Sequence, residues 1–427
     1  MLTNLKRFFL AYIALIVIFL SALILSSTIP SSFLSKNIGK SLEVFKEEGT
    51  YPSYGLVPWR KIVLDNYTEP LMFNIAFSID STQPVRSALT NMRNAESFEQ
   101  LNQIVNLDKA YYQKAKQPIG YERYWHGYLV FLRPLLVFFS YEGIRNVITF
   151  LLYAGLTAFV FLSWKKLGKI NTVIFLLGLL AVDFFSISRS LQFSSVFLIG
   201  IWMSVYLLLT YRENQSLLPL FFIVGGLTSF FDLLTAPLIT LGILLIVSIL
   251  LDKKQRAFLN SLSWYIGYLL LWFSKLLIAH LSYSPGALQS AVAQLANRAV
   301  GVADEKFSLF NTVTLNVSQL IGYDRFNKIV VLSCGILFLL VLLRYFSFKT
   351  KRIKSILPWV FVGVLPYLWF LTLANHSYIH VWYTYRNQFM SVAAFFLIVA
   401  EFIDWIKVKK EVGFLKTKLK SLSSPLK

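Results

Sequence analysis

The stretch LKRFFLAYIALIVIFLSALILSST, residues 5–28, decides the fold class, because an apolar run follows directly after two basic residues. A helix needs about 20 predominantly apolar residues to cross ~30 Å of hydrocarbon. This run is too long for the apolar region of a typical signal peptide, and no clear cleavage motif follows it. It therefore predicts a first transmembrane helix whose basic start, Lys6 and Arg7, faces the cytoplasm.

The rest of the chain repeats this pattern. Of its 427 residues, 56% are hydrophobic and only 15% are charged, whereas a soluble domain carries roughly 25% charged residues. A soluble enzyme, a secreted disulfide scaffold and a disordered tail are therefore excluded, and the single cysteine, Cys334, offers no CxxC metal site. Further apolar runs of about helix length lie at 143–163, 170–187, 194–210, 217–231, 234–251, 261–279, 328–345, 355–374 and 387–406.

The net charge of +20 comes from 41 Lys and Arg against 21 Asp and Glu, and its distribution predicts a topology. With Lys6 and Arg7 in the cytoplasm, ten crossings place every other basic cluster on the same side. Anionic lipid headgroups explain these cytoplasmic charges, so no nucleic-acid partner is expected. The chain is predicted to be a multi-pass plasma-membrane protein with both termini cytoplasmic. The later clusters lie at 165–169, 212, 253–256, 344–354 and 407–427.

The predicted architecture is a single all-α membrane domain, residues 1–406, with about ten transmembrane helices and a basic cytoplasmic tail, residues 407–427. Two loops are expected on the outer side, a long one at 28–126 and a shorter one at 281–327. Because the cytoplasmic side receives only short turns and the tail, function is expected at the outer side.

Within and after the long loop, apolar spacing predicts more helices. Residues 68–79 read as a short apolar helix, and the apolar stripe from Val85 to Tyr112 approximates one amphipathic helix. The apolar segment 127–141 is too short to span a membrane and is expected to be interfacial or re-entrant. Asp232 favours a break inside 217–251 at the outer surface, because a carboxylate is costly at mid-membrane.

The segment WRKIVLDNYTEP, residues 59–70, places two carboxylates directly above the membrane. Asp65 there could act as a general base or hold a divalent cation, whereas in the simpler interpretation it caps the helix that begins near Tyr67. Glu69 could be a second acid or metal ligand, or it could complement the dipole of the same helix.

A second constellation, NHSYIHVWYTYRN, spans residues 375–387 before the last helix. If this segment is helical, His376 and His380 share a face. An HxxxH pair can bind zinc, but a cluster of His, Tyr383 and Arg386 is better suited to binding a phosphate. The alternative is a polar and aromatic belt at the membrane interface.

Three more charges lie at or inside membrane edges. Asp183 and Lys275 fall within apolar runs and could neutralise each other between helices, whereas Arg189 could line a cavity that opens outward. At the end of the long loop, Tyr124, Trp125 and His126 offer aromatic surface that could stack on a sugar ring or form an interface belt.

The order of one helix, a long outer loop with an early acidic residue, and then many helices with short connections resembles the GT-C superfamily of integral-membrane glycosyltransferases. The resemblance is specific around Asp65 and residues 375–387. The DNYTEPL and NHSYIH stretches are also similar to those of uncharacterised polytopic envelope proteins of Gram-positive bacteria. Many GT-C members carry two adjacent acidic residues, whereas Asn66 follows Asp65 here, which leaves a requirement for Mg²⁺ or Mn²⁺ open.

This resemblance implies sugar transfer from a polyprenyl-phosphate donor in the membrane to an envelope polysaccharide, glycolipid or protein acceptor. Asp65 matches the position of the catalytic base. Two other interpretations remain open, a transporter or flippase for a lipid-linked or anionic solute, and a non-catalytic envelope-assembly protein. The candidate contacts to the donor phosphate are Arg189, Lys275, His376, His380 and Arg386, and those to the substrate are Tyr124, Trp125, His126, Asp232 and Tyr383.

Overall fold

The structure is a computed structural model that describes residues 2–54, 62–97, 100–114, 117–322, 325–347, 353–411 and 413. These residues form helices throughout, with only two three-residue strands, so the predicted all-α class is confirmed. Trp59 to Lys61 of the acidic segment, and most of the basic tail, lie outside the described residues. The helices are α1 (Leu2–Ser27), α2 (Ser31–Glu48), α3 (Thr68–Phe77), α4 (Pro84–Thr90), α5 (Gln103–Tyr111), α6 (Leu129–Phe138), α7 (Tyr141–Lys166), α8 (Lys169–Ala181), α9 (Phe184–Ile187), α10 (Leu191–Thr210), α11 (Leu218–Phe231), α12 (Leu238–Leu251), α13 (Ala257–Ser282), α14 (Ala287–Val300), α15 (Leu309–Ile321), α16 (Arg325–Tyr345), α17 (Ile353–Thr372), α18 (Ala374–Ile379), α19 (Val381–Thr384) and α20 (Phe389–Phe402).

Five of these helices are long and apolar enough to cross a membrane, namely α1, α7, α10, α13 and α17. Shorter apolar helices in the described part of the chain include α6, α8, α11, α12 and most of α16. Each of the ten predicted runs contains a helix. The chain is therefore an α-helical membrane protein, and the count of about ten crossings stays a prediction.

One predicted run is interrupted, and the break predicted inside 217–251 is present. The run 170–187 divides into α8 and α9 at Asp183, which adopts a left-handed conformation with φ 56°. Asp and Asn tolerate this conformation better than most residues. The run 217–251 divides into α11 and α12, with Asp232 directly after the last residue of α11, so the predicted break at this carboxylate is confirmed.

The single amphipathic helix expected from Val85 to Tyr112 is wrong. The segment forms α4 and α5 with a strand between them, β1 (Arg93–Ala95), which pairs antiparallel with β2 (Gln117–Ile119). Asn91, with φ 48°, ends α4, and the Asn102 side chain starts α5 by accepting the N–H groups of Ile104 and Val105. Two asparagines that favour helix ends therefore override the apolar stripe.

Helix α6 confirms the expected short segment after the long loop, and Arg133 explains its position. The buried guanidinium donates from Nε to the Ser26 carbonyl at 3.0 Å, and its other nitrogens donate to the carbonyls of Ile29 and Ala76. A helix end leaves such carbonyls without partners inside the helix. Arg133 therefore joins the end of α1, the start of the loop and the end of α3.

Helices α11 and α13 pack backbone against backbone at two glycines. A Cβ on Gly225 would lie 2.0 Å from the Trp264 carbonyl oxygen, and one on Gly267 would lie 2.1 Å from the Phe222 carbonyl oxygen. Small residues at such positions allow the close helix approach that is common in membrane proteins. This contact holds α13 in place, and α13 later forms one wall of the candidate site.

The described residues of the long loop, 28–54, 62–97, 100–114 and 117–126, lie together at one end of the bundle, which we call the loop end. The Tyr141 N–H at the start of α7 donates to the Ser41 hydroxyl at 2.9 Å, and Trp125 donates to the Leu271 carbonyl in α13 at 2.7 Å. At the opposite end, Lys166 donates to the carbonyl of Leu208. The helix termini and the long loop therefore build the loop end jointly.

Candidate functional site

Asp65 lies just before α3, is 3% exposed, and caps that helix. Its Oδ1 accepts the backbone N–H groups of Tyr67 and Thr68, both at 3.1 Å, and its Oδ2 accepts the Thr68 hydroxyl at 2.8 Å. Burial raises the pKa of Asp65, while these hydrogen bonds oppose the rise. Each carboxylate oxygen has about two acceptor positions, so Oδ2 keeps one. Capping and proton acceptance are therefore compatible.

Two tyrosines from distant segments lie near Asp65. Burial raises the pKa of Tyr51 to about 12 and that of Tyr383 well above 10, and the Asp65 charge is the next largest cause for both. The Tyr51 ring also contacts the Trp382 ring, with 5.6 Å between their centres. The fold therefore brings Asp65 together with the second predicted constellation.

Glu69 is fully buried in a different set of contacts. Its Oε1 accepts the Ser190 hydroxyl and, at 3.2 Å, the N–H of Gln192, while its Oε2 accepts the Tyr141 hydroxyl. Burial raises the pKa of Glu69, and the charge of Arg145 opposes that rise. Glu69 therefore connects α3 to the starts of α7 and α10, and these partners engage both of its oxygens.

Arg189 is held by an ion pair beside that network. Its Nη2 lies 2.9 Å and 2.8 Å from the two carboxylate oxygens of Glu142, and its carbonyl accepts the Nε–H of Arg145 at 2.8 Å. The guanidinium also lies over the Tyr54 ring, 5.9 Å from its centre. Arg189 is near the site, but Glu142 already neutralises it, which weakens its candidacy as a phosphate contact.

The segment 374–388 is helical but broken. It forms α18, α19 and a 3-10 helix, Tyr385–Gln388, so His376 lies within α18 and His380 lies between helices. Their rings are nevertheless in contact, with 4.8 Å between centres, and the His380 ring stacks on the Tyr383 ring at 5.1 Å. The predicted neighbourhood of these three residues is therefore present, although a single helix does not create it.

The two histidines are neutral at pH 7. Burial, followed by the positive charge of Arg298, lowers the pKa of His376 well below 6.5 and that of His380 to about 4. His376 donates from Nε2 to the Leu234 carbonyl at 2.9 Å, and its Nδ1 has no partner among the described residues. In this tautomer Nδ1 accepts rather than donates. His376 therefore does not suit the predicted role of donor to a phosphate.

Arg298 is a site residue that the sequence interpretation missed. It is the only ionisable residue of α14, its Nη1 donates to the Tyr124 hydroxyl, and no carboxylate of the described residues lies within 4.0 Å of it. One arginine in an otherwise neutral amphipathic helix was the available signal. Tyr124 thus belongs to the site through Arg298.

Arg298 and Tyr124 lie at the loop end of an apolar groove of about 530 Å³. Helices α13 and α17 form its two walls, and residues of α14 complete the lining. Along α13 the lining extends from Phe258 to Trp272, which corresponds to about 21 Å at 1.5 Å per residue. The groove therefore combines a long apolar lining with two arginines, Arg123 and Arg298, at its loop end.

Asp232 lies between this groove and the histidines. It is 2% exposed, accepts the Thr235 N–H at 3.0 Å, and burial raises its pKa to about 7. Leu234 in the same turn has φ 67°, which is strained for a residue with a side chain. The Asp232 charge also raises the pKa of Tyr383. The predicted substrate contacts Asp232, Tyr124 and Tyr383 therefore lie in one neighbourhood.

Lys275 is not available to a substrate. Its Nζ donates to the carbonyls of Ala88 and Leu89 at 2.9 and 2.7 Å and to Asn91 Oδ1 at 2.9 Å, so all three donors of the ammonium are used. The alternative in which Lys275 pairs with Asp183 is also wrong, because the ammonium has no donor left for it, and Asp183 accepts the Tyr385 hydroxyl at 2.5 Å. Lys275 instead fixes the end of α4 against α13.

Trp125 and His126 are likewise structural. The Trp125 side chain is fully buried and contacts Phe19 and Phe230, with ring centres 5.4 and 5.8 Å apart. Both ring nitrogens of His126 are engaged, Nδ1 by the Tyr128 hydroxyl at 2.9 Å and Nε2 by the Tyr121 carbonyl at 2.7 Å. Neither ring offers a face to a sugar.

Polar atoms without partners mark the site most clearly. In the described part of the chain, nineteen buried side-chain nitrogen and oxygen atoms lack a hydrogen-bond partner, and nine of them belong to residues 375–387. Buried polar groups in native proteins are almost always bonded, so this concentration indicates a place for ligand or water. No group of three His, Cys, Asp or Glu within the described residues is placed to bind a metal ion.

Comparison with protein-family models, curated proteins and solved structures finds no match for this chain. The fold and site define an α-helical membrane protein with a buried polar centre at its loop end. Its function is therefore inferred from the geometry of that centre and of the groove beside it.

Proposed function

We propose that the protein is a membrane glycosyltransferase that moves a sugar from a polyprenyl-phosphate donor to a cell-envelope acceptor. The groove between α13 and α17 carries this proposal. It is an apolar channel of about 530 Å³ that leads to Arg298, which matches a molecule with a long hydrocarbon tail and an anionic head. A lipid phosphate has both features, and a soluble nucleotide sugar has no tail to fill the channel.

The loop end is proposed to face outward. The basic residues Lys166 and Lys253 lie at the opposite end, where Lys166 bonds to the Leu208 carbonyl and Lys253 pairs with Glu401 at 2.9 Å. Positive residues favour the cytoplasmic side. The donor phosphate would then lie at the outer interface beside Arg298, and the acceptor would approach from the envelope.

In the proposed reaction, an acceptor hydroxyl attacks the anomeric carbon as the bond from that carbon to the phosphate oxygen breaks. The hydroxyl proton passes to Asp65, and the negative charge that develops on the departing phosphate is stabilised by Arg298. The raised pKa of Asp65 suits this role, because a base works best with a pKa close to the working pH. A divalent cation is left open as a further aid to the phosphate.

Transport is less well supported than transfer. The charged residues of this chain that could line a transport path are Asp183, Lys275 and Arg189. Each contacts other groups, namely Tyr385, the end of α4 and Glu142. A non-catalytic assembly role predicts that a change of Asp65 alone has no effect on function, whereas catalysis predicts a loss of sugar transfer.

The test replaces Asp65 with Asn in protein reconstituted into lipid nanodiscs. Asn keeps a side-chain oxygen for the cap and removes the base, so folding should be retained. With farnesyl phosphate carrying a radiolabelled hexose as donor and envelope membranes as acceptor, we expect label transfer to fall at least about 100-fold. The matched control is Asp80→Asn, an exposed aspartate of the same loop that bonds only locally to Thr82.

Transfer that is unchanged in Asp65→Asn would remove Asp65 from the base role. No transfer by the wild type with a panel of labelled hexoses and pentoses would argue for an assembly protein instead. Equal loss in Asp80→Asn would indicate a general effect on the loop rather than on chemistry.

A further inference from the structure

Arg386 has the same kind of side chain as Arg298, but it lies in a different place. It is 1% exposed, and its guanidinium is near two aromatic rings, 4.5 Å from the centre of Phe193 and 5.0 Å from that of Tyr385. Arg298 lines the apolar groove, whereas Arg386 does not.

The edges of the Arg386 guanidinium are used unequally. Nη1 donates to the Trp382 carbonyl at 2.8 Å, whereas Nε and Nη2 have no hydrogen-bond partner among the described residues. Nε and Nη2 form one side of the planar fork, and this side can hold both oxygens of a carboxylate or two oxygens of a phosphate. Nε and Nη2 are therefore the part of the guanidinium that is left for a ligand.

Neighbouring side chains also have polar atoms without hydrogen-bond partners. Both side-chain atoms of Asn387, Nδ2 and Oδ1, are buried and unpartnered, and so is Oε1 of Gln192, the residue before Phe193. No carboxylate of the described residues lies within 4.0 Å of Arg386. A buried cation without an anion is costly, so a fold retains one chiefly where a ligand supplies the missing charge.

We infer that Arg386 binds a second oxyanion of the substrates, a carboxylate or phosphate group distinct from the phosphate at Arg298, with Asn387 bonding to the same ligand. This inference rests on the proposed function for the identity of the first phosphate. It implies that the transferred sugar or the acceptor is acidic. The two sources of the oxyanion are a uronic-acid carboxylate and a phosphate on the acceptor.

The experiment measures binding to wild-type protein in nanodiscs already saturated with farnesyl phosphate. The radiolabelled probes are methyl β-glucuronoside for the carboxylate, methyl phosphate for the phosphate, and methyl β-glucoside as a neutral control. We expect one acidic probe to bind and the neutral probe not to bind. The variant Arg386→Lys keeps the charge but loses the fork, so we expect it to bind the acidic probe at least about tenfold more weakly than the wild type does.

Arg298→Lys is the matched control. It should weaken the binding of farnesyl phosphate and change the affinity for the acidic probe by no more than about twofold. Binding of the glucuronoside would assign the second oxyanion to an acidic sugar, and binding of methyl phosphate would assign it to a phosphate. If neither probe binds, or if Arg386→Lys binds them as the wild type does, the inference is wrong and water fills the site.

A competition experiment on the wild type protects the test if Arg386→Lys does not fold. Displacement of the acidic probe by farnesyl phosphate would place both at one site and overturn the inference. Failure of the proposed function has a different signature, since farnesyl phosphate would then not bind while the acidic probe still depends on Arg386.

Discussion

Arg145 and Arg386 are both fully buried, but their hydrogen bonds differ. Every donor group of Arg145 is used, since Nε bonds to the Arg189 carbonyl, Nη1 to Glu48 and Glu142, and Nη2 to Glu48 and the Tyr141 hydroxyl. Among the described residues, Arg386 has one hydrogen-bond partner, the Trp382 carbonyl. The donors of Arg145 are all bonded within the protein, whereas Arg386 has donors that are free to bond to a ligand.

This difference separates structural from functional polar groups at the loop end. A satisfied buried charge holds its neighbours in one arrangement, and removal of one partner leaves the others uncompensated. A buried charge without partners reduces the stability of the empty protein, and it contributes to binding when a ligand supplies the missing partners. Burial and charge alone therefore do not identify a site, whereas the count of unused donors and acceptors does.

The largest expected effect is the loss of stability in Arg145→Met. The change removes the cation that neutralises Glu48 and Glu142 and bonds to the Arg189 carbonyl. Glu48 and Glu142 are 25% and 42% exposed, so water replaces part of what they lose. The Arg189 carbonyl and the Tyr141 hydroxyl lose their donor as well, and the combined cost is about 4 kcal/mol. Thermal and denaturant unfolding of the detergent-solubilised protein would measure it, with the exposed Arg212→Met as control. A loss below about 1 kcal/mol would remove the structural half of the comparison.

Lys275→Met is expected to cost about 3 kcal/mol, because three buried acceptors would lose their donor together. These are the carbonyls of Ala88 and Leu89 and the side chain of Asn91. The control is Lys253→Met, whose side chain is 70% exposed. Farnesyl phosphate binding should be unchanged in folded Lys275→Met. Weaker binding would instead return Lys275 to the substrate site.

The helices could be predicted from sequence because hydrophobic periodicity and length are local properties of the chain. The break at Asp232 could be predicted for the same reason, since a carboxylate interrupts an apolar run wherever it lies. The split between α4 and α5 was missed because one or two asparagine side chains outweigh an apolar stripe.

The candidate site was predictable only in part. Asp65, Tyr383 and Arg386 stand out as chemistry-bearing residues near membrane edges, and the structure brings Asp65 close to Tyr383. Sequence could not show that Lys275 donates to the end of α4, nor that Arg298 lies at the mouth of a groove. Partner choice between residues far apart in sequence depends on tertiary packing, which leaves no local pattern.

A third prediction applies the same contrast to carboxylates. Burial alone would raise the pKa of Glu48, but hydrogen bonds from Arg145 and Asn66 hold it below its usual value. Among the described residues, Asp232 accepts hydrogen bonds only from the backbone of its own turn, such as the Thr235 N–H, and burial raises its pKa to about 7. A raised carboxyl pKa favours the fold below the unfolded value near pH 4 and loses that contribution as pH rises through 7.

Wild-type stability should therefore fall from about pH 4 to about pH 7. Measurements from pH 5 to pH 8 should capture most of this fall, and Asp232→Asn should flatten it. Burial raises the pKa of Asp232 from 3.8 to about 7, and about two pH units of this rise lie above pH 5. Because one pKa unit corresponds to about 1.4 kcal/mol, we expect the advantage of the variant over the wild type to grow by roughly 3 kcal/mol between pH 5 and pH 8. Thermal unfolding across this range measures it, with Asp80→Asn as control. A variant that is weaker at pH 8 would show that the Asp232 carboxylate is charged and stabilising.

The smallest expected effect on stability is that of Arg386→Met, and it tests the comparison most directly. The variant loses the hydrogen bond to the Trp382 carbonyl but also removes a buried charge without a counter-ion. These contributions oppose each other, and apolar replacement of buried charges is often neutral or stabilising. We expect the free energy of unfolding to change by less than about 0.5 kcal/mol while binding of the acidic probe is lost. A loss as large as that of Arg145→Met would make Arg386 a second structural arginine, because only partners inside the fold could give it that value.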